Sequence, residues 1–441
     1  MNVIVIVADS FRTDCLGCYG GEGIDTPRLD ELGAESLLFT QAYADGLPTI
    51  PARHSMLTGR YTFPFRGWQP LEHDDITLPE ALWDKGYETA LVTDVYHMLK
   101  PGMNFGRGFS HTRFIRGQEY DPYVVDPSIE VDVDSCYKAD GLSDEIFKPR
   151  FAQYLKNVSG RRGEEDYFAA QVVQAGLDWL EARREDQPFL LWLDCFDPHE
   201  PWDPPPPFDT MYDPDYTGKN ILDPVPGNVQ GYLSPEELAH VRALYAGEVS
   251  FVDKWIGILL DRARALGLLD RSLIVFTSDH GVPFGEHGVI RRCRPWLHQE
   301  LVNVPLMLRY PDGTGAGGIC DAFAQSCDLM PTILGFLGVE GPAGMTGADL
   351  GPLGRGEAQS VRDYAYSGFH MRAWSIRSHD YSYLLSLEGE PSELYNRADD
   401  PDEFTNICEG NPEVAEELEG ELRRFVESLV PGQEAEQDES E

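Results

Sequence analysis

Apolar residues fall along this chain in two rhythms. Short runs rich in aliphatic and β-branched residues occupy positions 3–7, 89–93, 188–193, 273–277 and 304–309. Each has the length of a buried strand. Helical spacing of apolar positions covers 167–183 and then a long segment from Pro235 to about Leu268. There Glu236 and Glu237 fall in the first turn, where negative charge favours a helix. Alternating strand and helix patterns predict an α/β fold, a doubly wound and mostly parallel sheet flanked by helices. Ligands of such sheets bind outside the carboxyl ends of the strands. Asp9, Asp194 and Asp279 directly follow, or lie just beyond, expected strands, so the pattern predicts that these acids converge on one site.

Two segments break the rhythm. The Pro- and Asp-rich stretch 201–226 has too little periodic apolar content to form core and reads as a long loop over the site. After about Gly341 the runs shorten, at 373–377 and 381–387, and a helical stretch follows around Pro412–Leu429. The expected organisation is a catalytic α/β domain at 1–340 and a smaller α+β subdomain at 341–430, with an antiparallel sheet and a terminal helix. The acidic end, 431–441, lacks aromatic residues and is expected to be a disordered tail.

Composition narrows the range of partners. The chain has 441 residues and a net charge of −40, so its surface repels nucleic acid and anionic membrane. The acid excess runs throughout the chain and suits a high-salt cytoplasm, where screening relieves self-repulsion. The amino terminus has no basic region and no small-residue cleavage site, and no apolar stretch reaches membrane-spanning length, so the expected address is the cytoplasm. Eight scattered cysteines do not make a disulfide scaffold. Cys15-Leu16-Gly17-Cys18 lacks a second Cys/His pair at zinc-site distance and reads as a turn. Oligomeric state is not encoded in any visible pattern.

The segment Thr49-Ile50-Pro51-Ala52-Arg53, followed by Leu57-Thr58-Gly59-Arg60, resembles the nucleophile segment of the sulfatase family, within the alkaline phosphatase superfamily. Further matches occur in the family's order. They are Ala8-Asp9-Ser10, Leu16-Gly17-Cys18-Tyr19-Gly20, Thr26-Pro27-Arg28-Leu29-Asp30, Pro198-His199-Glu200-Pro201-Trp202, Thr277-Ser278-Asp279-His280-Gly281 and Gly285-Glu286-His287-Gly288. Asp328-Leu329-Met330-Pro331-Thr332 and Glu393-Leu394-Tyr395-Asn396 match late motifs. The resemblance implies a metal-dependent hydrolase of a small-molecule ester. It implies Asp9, Thr49, Asp279 and His280 as ligands of one divalent cation, drawn from manganese, zinc, calcium or magnesium.

Several positions depart from the family pattern. The family's nucleophile is a formylglycine made from Cys or Ser, and Thr49 cannot form that aldehyde because its β-carbon already carries a methyl. A threonine hydroxyl can still attack phosphorus once a cation lowers its pKa. Ser10 stands where a second aspartate is usual, and His280 where many sulfatases carry asparagine, as in phosphonate monoester hydrolases and phosphodiesterases. Asp94 falls at the position of a sulfate-gripping lysine, which weakens the cationic pocket and leaves Asp94, Tyr96 and His97 as candidate substrate contacts.

The remaining candidates follow from side-chain chemistry. Arg53 can grip the alkoxide and a phosphoryl oxygen through its planar guanidinium. His199, near an ordinary imidazole pKa, is suited to protonate the leaving group. Asp194 and Asp197 can orient His199 or join it as ligands of a second metal, with Ser10 as possible support. Arg292, or its neighbour Arg291, falls where the family places a substrate-contacting lysine. Glu286 and His287 are candidates for supporting roles.

The expected activity is hydrolysis of phosphodiesters or phosphonate monoesters through Thr49. Two other readings stay open, a sulfuric ester hydrolase without formylglycine and a catalytically silent ligand-binding relative, and for Thr49 itself the rival is a helix cap with no chemical role.

Overall fold

Strand Asn2–Ala8 is buried along its whole length because it lies inside an eight-stranded sheet. Its Val3, Val5 and Val7 enter one apolar layer while Ile4, Ile6 and Ala8 enter the other. Burying each Val or Ile side chain on this strand contributes about 1.5–3 kcal/mol. The structure, a computed structural model, describes residues 1–292 and 296–429, so the expected tail at 431–441 lies outside the described residues.

Across the sheet the order is Gly318–Cys320, Leu37–Phe39, Leu306–Arg309, Ser272–Thr277, Asn2–Ala8, Phe189–Cys195, Glu88–Thr93 and His111–Phe114. The last five of these run parallel. Leu306–Arg309 runs against both of its neighbours. Helices Pro27–Ala34, Phe168–Ala182 and Pro235–Ala265 cover the face that receives Ile4 and Ile6. Thr49–Thr58, Leu78–Trp83 and Leu329–Leu337 cover the other. This is the doubly wound α/β arrangement expected from the alternating pattern.

The long helix Pro235–Ala265 starts where its sequence says it should. The Ser234 hydroxyl accepts from the Glu237 amide at 3.1 Å, and the Glu237 carboxylate accepts from the Ser234 amide at 2.8 Å. Pro235, in the first turn, has no amide proton to leave unsatisfied.

Beyond the eight-stranded sheet, Ala365–Phe369, Ala373–Arg377, Tyr381–Ser386 and Glu393–Asn396 form an antiparallel meander. Ala415, Leu418, Leu422 and Val426, one stripe of helix Pro412–Leu429, pack in the apolar cluster with Ile376, Tyr383 and Leu385 of this sheet. A fifth strand comes from far earlier in the chain: Gly46–Leu47 pairs parallel with Gly368 and Phe369. The segment 201–226 carries neither helix nor strand, yet it corrects one expectation. Trp202, Ile221 and Val225 are buried in the main apolar cluster, so this loop supplies core as well as covering it. The Trp202 amide donates to the Leu222 carbonyl at 2.7 Å, which folds the loop back on itself.

Candidate active site

Parallel register brings the carboxyl ends of four strands level. Ala8 pairs with Cys195, Val7 with Thr277 and Thr93 with Asp194. Asp9, Asp194 and Asp279 therefore emerge at one edge of the sheet, all fully buried.

Asp9, Asp279 and His280 each offer one ligand atom, and these atoms lie within 4.8 Å of one another. His280 Nδ1 lies 2.8 Å from the Gly281 carbonyl, an arrangement that assigns the ring proton to Nδ1. The bare Nε2 then faces Asp279 Oδ2 at 3.4 Å and Asp9 Oδ1 at 4.0 Å, and it has no hydrogen-bond partner. Asp9 Oδ2 is likewise buried without a hydrogen bond. Burial, and then the charge of Asp279, push the Asp9 carboxyl well above the usual range. Burial drives the His280 imidazole down to about 4 despite Asp279, so it is neutral at physiological pH. Two carboxylates, a neutral imidazole and orphaned buried acceptors form a donor set that fits a divalent cation.

Ser10 braces this group. Its backbone is left-handed (φ 61°), its amide donates to Asp279 Oδ1 at 3.1 Å, and its hydroxyl donates to Asp9 Oδ1 at 2.9 Å. It adds a hydrogen bond where a third acid would add charge.

Thr49 begins the buried helix Thr49–Thr58. Pro48 occupies the cap position and no side chain caps this end, so the helix-cap reading of Thr49 finds no support. One turn on, Arg53 Nη1 donates to the Thr49 carbonyl at 3.2 Å and to Asp279 Oδ2 at 2.5 Å. The same nitrogen lies 3.2 Å from Asp9 Oδ2. Arg53 thus ties the start of the helix to the acids of the candidate metal site.

Three expectations about acids need correcting. Asp194 does not orient His199, because its oxygens accept from Arg53 and from Trp192 Nε1 at 3.1 Å. Asp197 accepts from Gln118 at 2.7 Å and from the Ala169 amide at 3.0 Å. Asp94 accepts from the Phe196 amide at 2.7 Å and from Gln118 at 3.3 Å. Asp94 and Asp197 lie near Cys195, but every oxygen of the two acids already accepts a hydrogen bond, which argues against a second metal there. Both Asp94 oxygens are taken up inside the protein by Phe196 and Gln118, which leaves neither for substrate.

His199 is held by its neighbour in sequence and by an arginine from afar. Its Nδ1 lies 2.6 Å from the Glu200 carbonyl, and its Nε2 contacts Arg292. Burial and the charge of Arg292 lower its pKa to about 3, which overturns the expectation of an ordinary imidazole. Arg292 also donates to Ser10 Oγ at 3.1 Å and to Glu200 Oε1 at 2.6 Å. Arg291 holds Glu200 Oε1 at 2.6 Å and Asp223 Oδ1 at 2.6 Å, and so anchors the 201–226 loop instead of facing substrate alone. Burial pushes the Glu200 carboxyl up, but Arg291 and Arg292 outweigh it and hold the group well below the usual range. Sequence reasoning missed Glu200, although it stands beside His199.

Thr49, His199, Arg291 and Arg292 open onto a cleft of about 360 Å³ whose far walls include Trp68, His97, Glu119, Tyr120, Arg150 and His370. His97 contacts Glu119 and lies 3.1 Å from Lys100 Nζ. Tyr96 does not line the cleft; its ring lies under Lys100 Nζ at 4.5 Å. Of the expected supporting pair, Glu286 accepts from Arg12 at 2.7 Å and from the Phe284 amide at 2.5 Å. His287 and His298 stack 3.6 Å apart at 12°, so their in-plane lone pairs run parallel and cannot converge on an ion with Glu300.

Known proteins share this architecture. Residues 1–339 match the family profile Sulfatase, and 285–429 match that of the N-sulphoglucosamine sulphohydrolase C-terminal region. An N-acetylglucosamine-6-O-sulfatase of Bacteroides thetaiotaomicron is 25% identical over 97% of this chain and 85% of its own length. A multifunctional alkaline phosphatase superfamily protein of Trinickia caryophylli is 26% identical over 94% and 92%. The crystal structure of the phosphonate monoester hydrolase of Agrobacterium radiobacter superposes with a TM-score of 0.77 at 21% identity, covering 97% of this chain and 96% of that one. With the profile match spanning most of its length, the chain belongs to the sulfatase family of hydrolases acting on ester bonds.

Proposed function

We propose that this protein hydrolyses phosphodiesters or phosphonate monoesters, with the Thr49 hydroxyl as nucleophile. The observation that carries the reading is the position of Thr49. It opens the buried helix, lines the cleft with His199 and Arg292, and is tied through Arg53 to Asp9 and Asp279. Asp9, Asp279 and His280 would hold a divalent cation, whose charge would lower the pKa of a neighbouring hydroxyl.

The chain's own residues account for the rest. Thr49 Oγ bonds to phosphorus as the bond from phosphorus to the leaving oxygen breaks. Thr49 gives its proton to solvent and the departing alkoxide takes one from solvent, while His199, whose Nε2 accepts from Arg292, positions that guanidinium. Water then attacks phosphorus, releases the phosphorus acid and restores Thr49. Arg292, beside both Ser10 and His199, presents a guanidinium to an oxyanion in the cleft. Trp202 and the 201–226 loop help close the interior behind His199.

Sulfuric ester hydrolysis is the second reading, favoured by the name of the Bacteroides relative. Thr49 disfavours it, because a sulfated threonine has no elimination route comparable to that of a formylglycine hydrate. Side-by-side turnover of a bis-aryl phosphate, an aryl phosphonate and an aryl sulfate, each with manganese, zinc, calcium or magnesium, tests the choice. Dominant phosphorus ester turnover is expected, and dominant sulfate turnover rejects it. Inactivity throughout the panel supports a silent ligand-binding relative instead.

A further inference from the structure

We propose that Arg150 makes this enzyme selective for esters whose departing alcohol carries a second oxyanion. The inference rests on the ester-hydrolase reading of the cleft and adds a requirement on the leaving group. The chain has 35 Lys and Arg against 75 Asp and Glu, so a guanidinium in a cleft wall should find an acid partner easily. The other charges of this cleft do. Arg291 and Arg292 hold Glu200, Arg291 also holds Asp223, and Glu119 contacts His97. Arg150 forms no ion pair among the described residues. It rises from helix Asp144–Val158, and its guanidinium lies 4.7 Å from the Tyr120 ring centroid and 5.8 Å from that of Phe147.

Tyr120 is itself held in place, since Lys100 Nζ donates to its hydroxyl at 3.2 Å. The guanidinium therefore rests on a fixed aromatic face, with its donors left for a ligand. A second, narrower cavity shares Glu119, Tyr120, Arg150, Glu200 and Arg291 with the main cleft. Phe147, Phe151 and Tyr154 also line it, so Arg150 stands where the two spaces meet. An alcohol held next to Thr49 can extend along this wall and meet an exposed, planar cation. A carboxylate or a sulfonate-type oxyanion matches that fork through paired hydrogen bonds.

The test compares full-length wild type with Arg150→Gln and Arg150→Lys. The substrates are methylphosphonate esters of phenol, 4-hydroxybenzoate and 4-hydroxybenzenesulfonate. Wild type should favour one or both anionic leaving groups. Arg150→Gln should lower that preference, measured as the ratio of kcat/KM values, by roughly ten- to a hundredfold and mainly through KM, as expected for loss of a charged hydrogen bond. Arg150→Lys should keep part of it. The comparison of carboxylate with sulfonate identifies which oxyanion the site takes. Calorimetric binding of the same three alcohols gives a readout without turnover. Arg150-dependent binding with no ester hydrolysis rejects the enzyme reading and retains the subsite. The same preference in wild type and Arg150→Gln overturns the proposal, as does binding of the alcohols that ignores Arg150.

Discussion

Arg53 holds Asp194 through Nε at 3.1 Å and Nη2 at 2.6 Å, with neither side chain exposed. The grip fixes the plane of the guanidinium, and its remaining nitrogen is thereby aimed at Asp279 and the Thr49 carbonyl. Asp194 thus bears on helix Thr49–Thr58 through an intermediary, without touching the cleft.

Removing Asp194 leaves Arg53 paired with Asp279 and Asp9 but takes away its two-point anchor. Asp194→Ala should cost about 1.5–3 kcal/mol of folding stability, the scale of a hydrogen bond to a charged group. Denaturant titration checks this, and a loss below about 1 kcal/mol would show that the pair behaves like an exposed one.

Thr49→Ala should lower kcat by at least about a thousandfold, the scale expected when a nucleophile is removed. Its thermal midpoint should stay near that of wild type, because no side-chain hydrogen bond caps the helix at this end. Thr49→Ser, which keeps the hydroxyl, should retain activity. A fully active alanine variant would show that water attacks directly.

Chelation should lower the thermal midpoint, and adding back manganese or zinc should restore it. At a hundred times Kd the ion should contribute about 2.7 kcal/mol. His280→Ala should blunt the response, because it removes the orphaned Nε2. A wild-type midpoint indifferent to chelator and to every divalent ion would argue against a cation at this site.

His287 predicts a pH effect on stability. Burial lowers its pKa, but the hydrogen bond and charge of Glu300 and the Glu403 carbonyl outweigh burial and raise it to about 9. A histidine pKa raised above the unfolded value of about 6.5 stabilises the fold fully below that pH. The contribution fades as pH rises toward 9. Thermal midpoints of wild type and His287→Gln should therefore converge between neutral and alkaline pH. A constant difference across the range would sink the assignment.

Charge repulsion predicts a salt effect. With a net charge of −40, the chain should gain thermal stability between dilute buffer and molar KCl. Equal midpoints in the two would refute salt adaptation.

What could be read in advance depended on burial. Strands sandwiched between two helical layers write continuous apolar runs, so Asp9, Asp194 and Asp279 could be placed at strand ends from spacing alone. His111–Phe114 was missed because its first three residues are exposed and leave no run. Leu37–Phe39 and Gly318–Cys320 are too short to stand out. Pro149 interrupts the helical pattern that carries Arg150. Glu200 and Arg292 meet across 92 positions, a pairing that no local pattern announces. Asp94 misled for a related reason. Its place in a motif suggested contact with substrate, while its place at a strand end gave it a backbone amide to satisfy.

The pairing of Gly46–Leu47 with Gly368 and Phe369 reaches further than its two residues. The chain goes straight from this edge through Pro48 into Thr49, so the later meander serves as scaffolding for the very turn that carries Thr49. The two regions are therefore partners in assembly, and a polypeptide cut short before residue 365 would lose the support from which Thr49 is suspended.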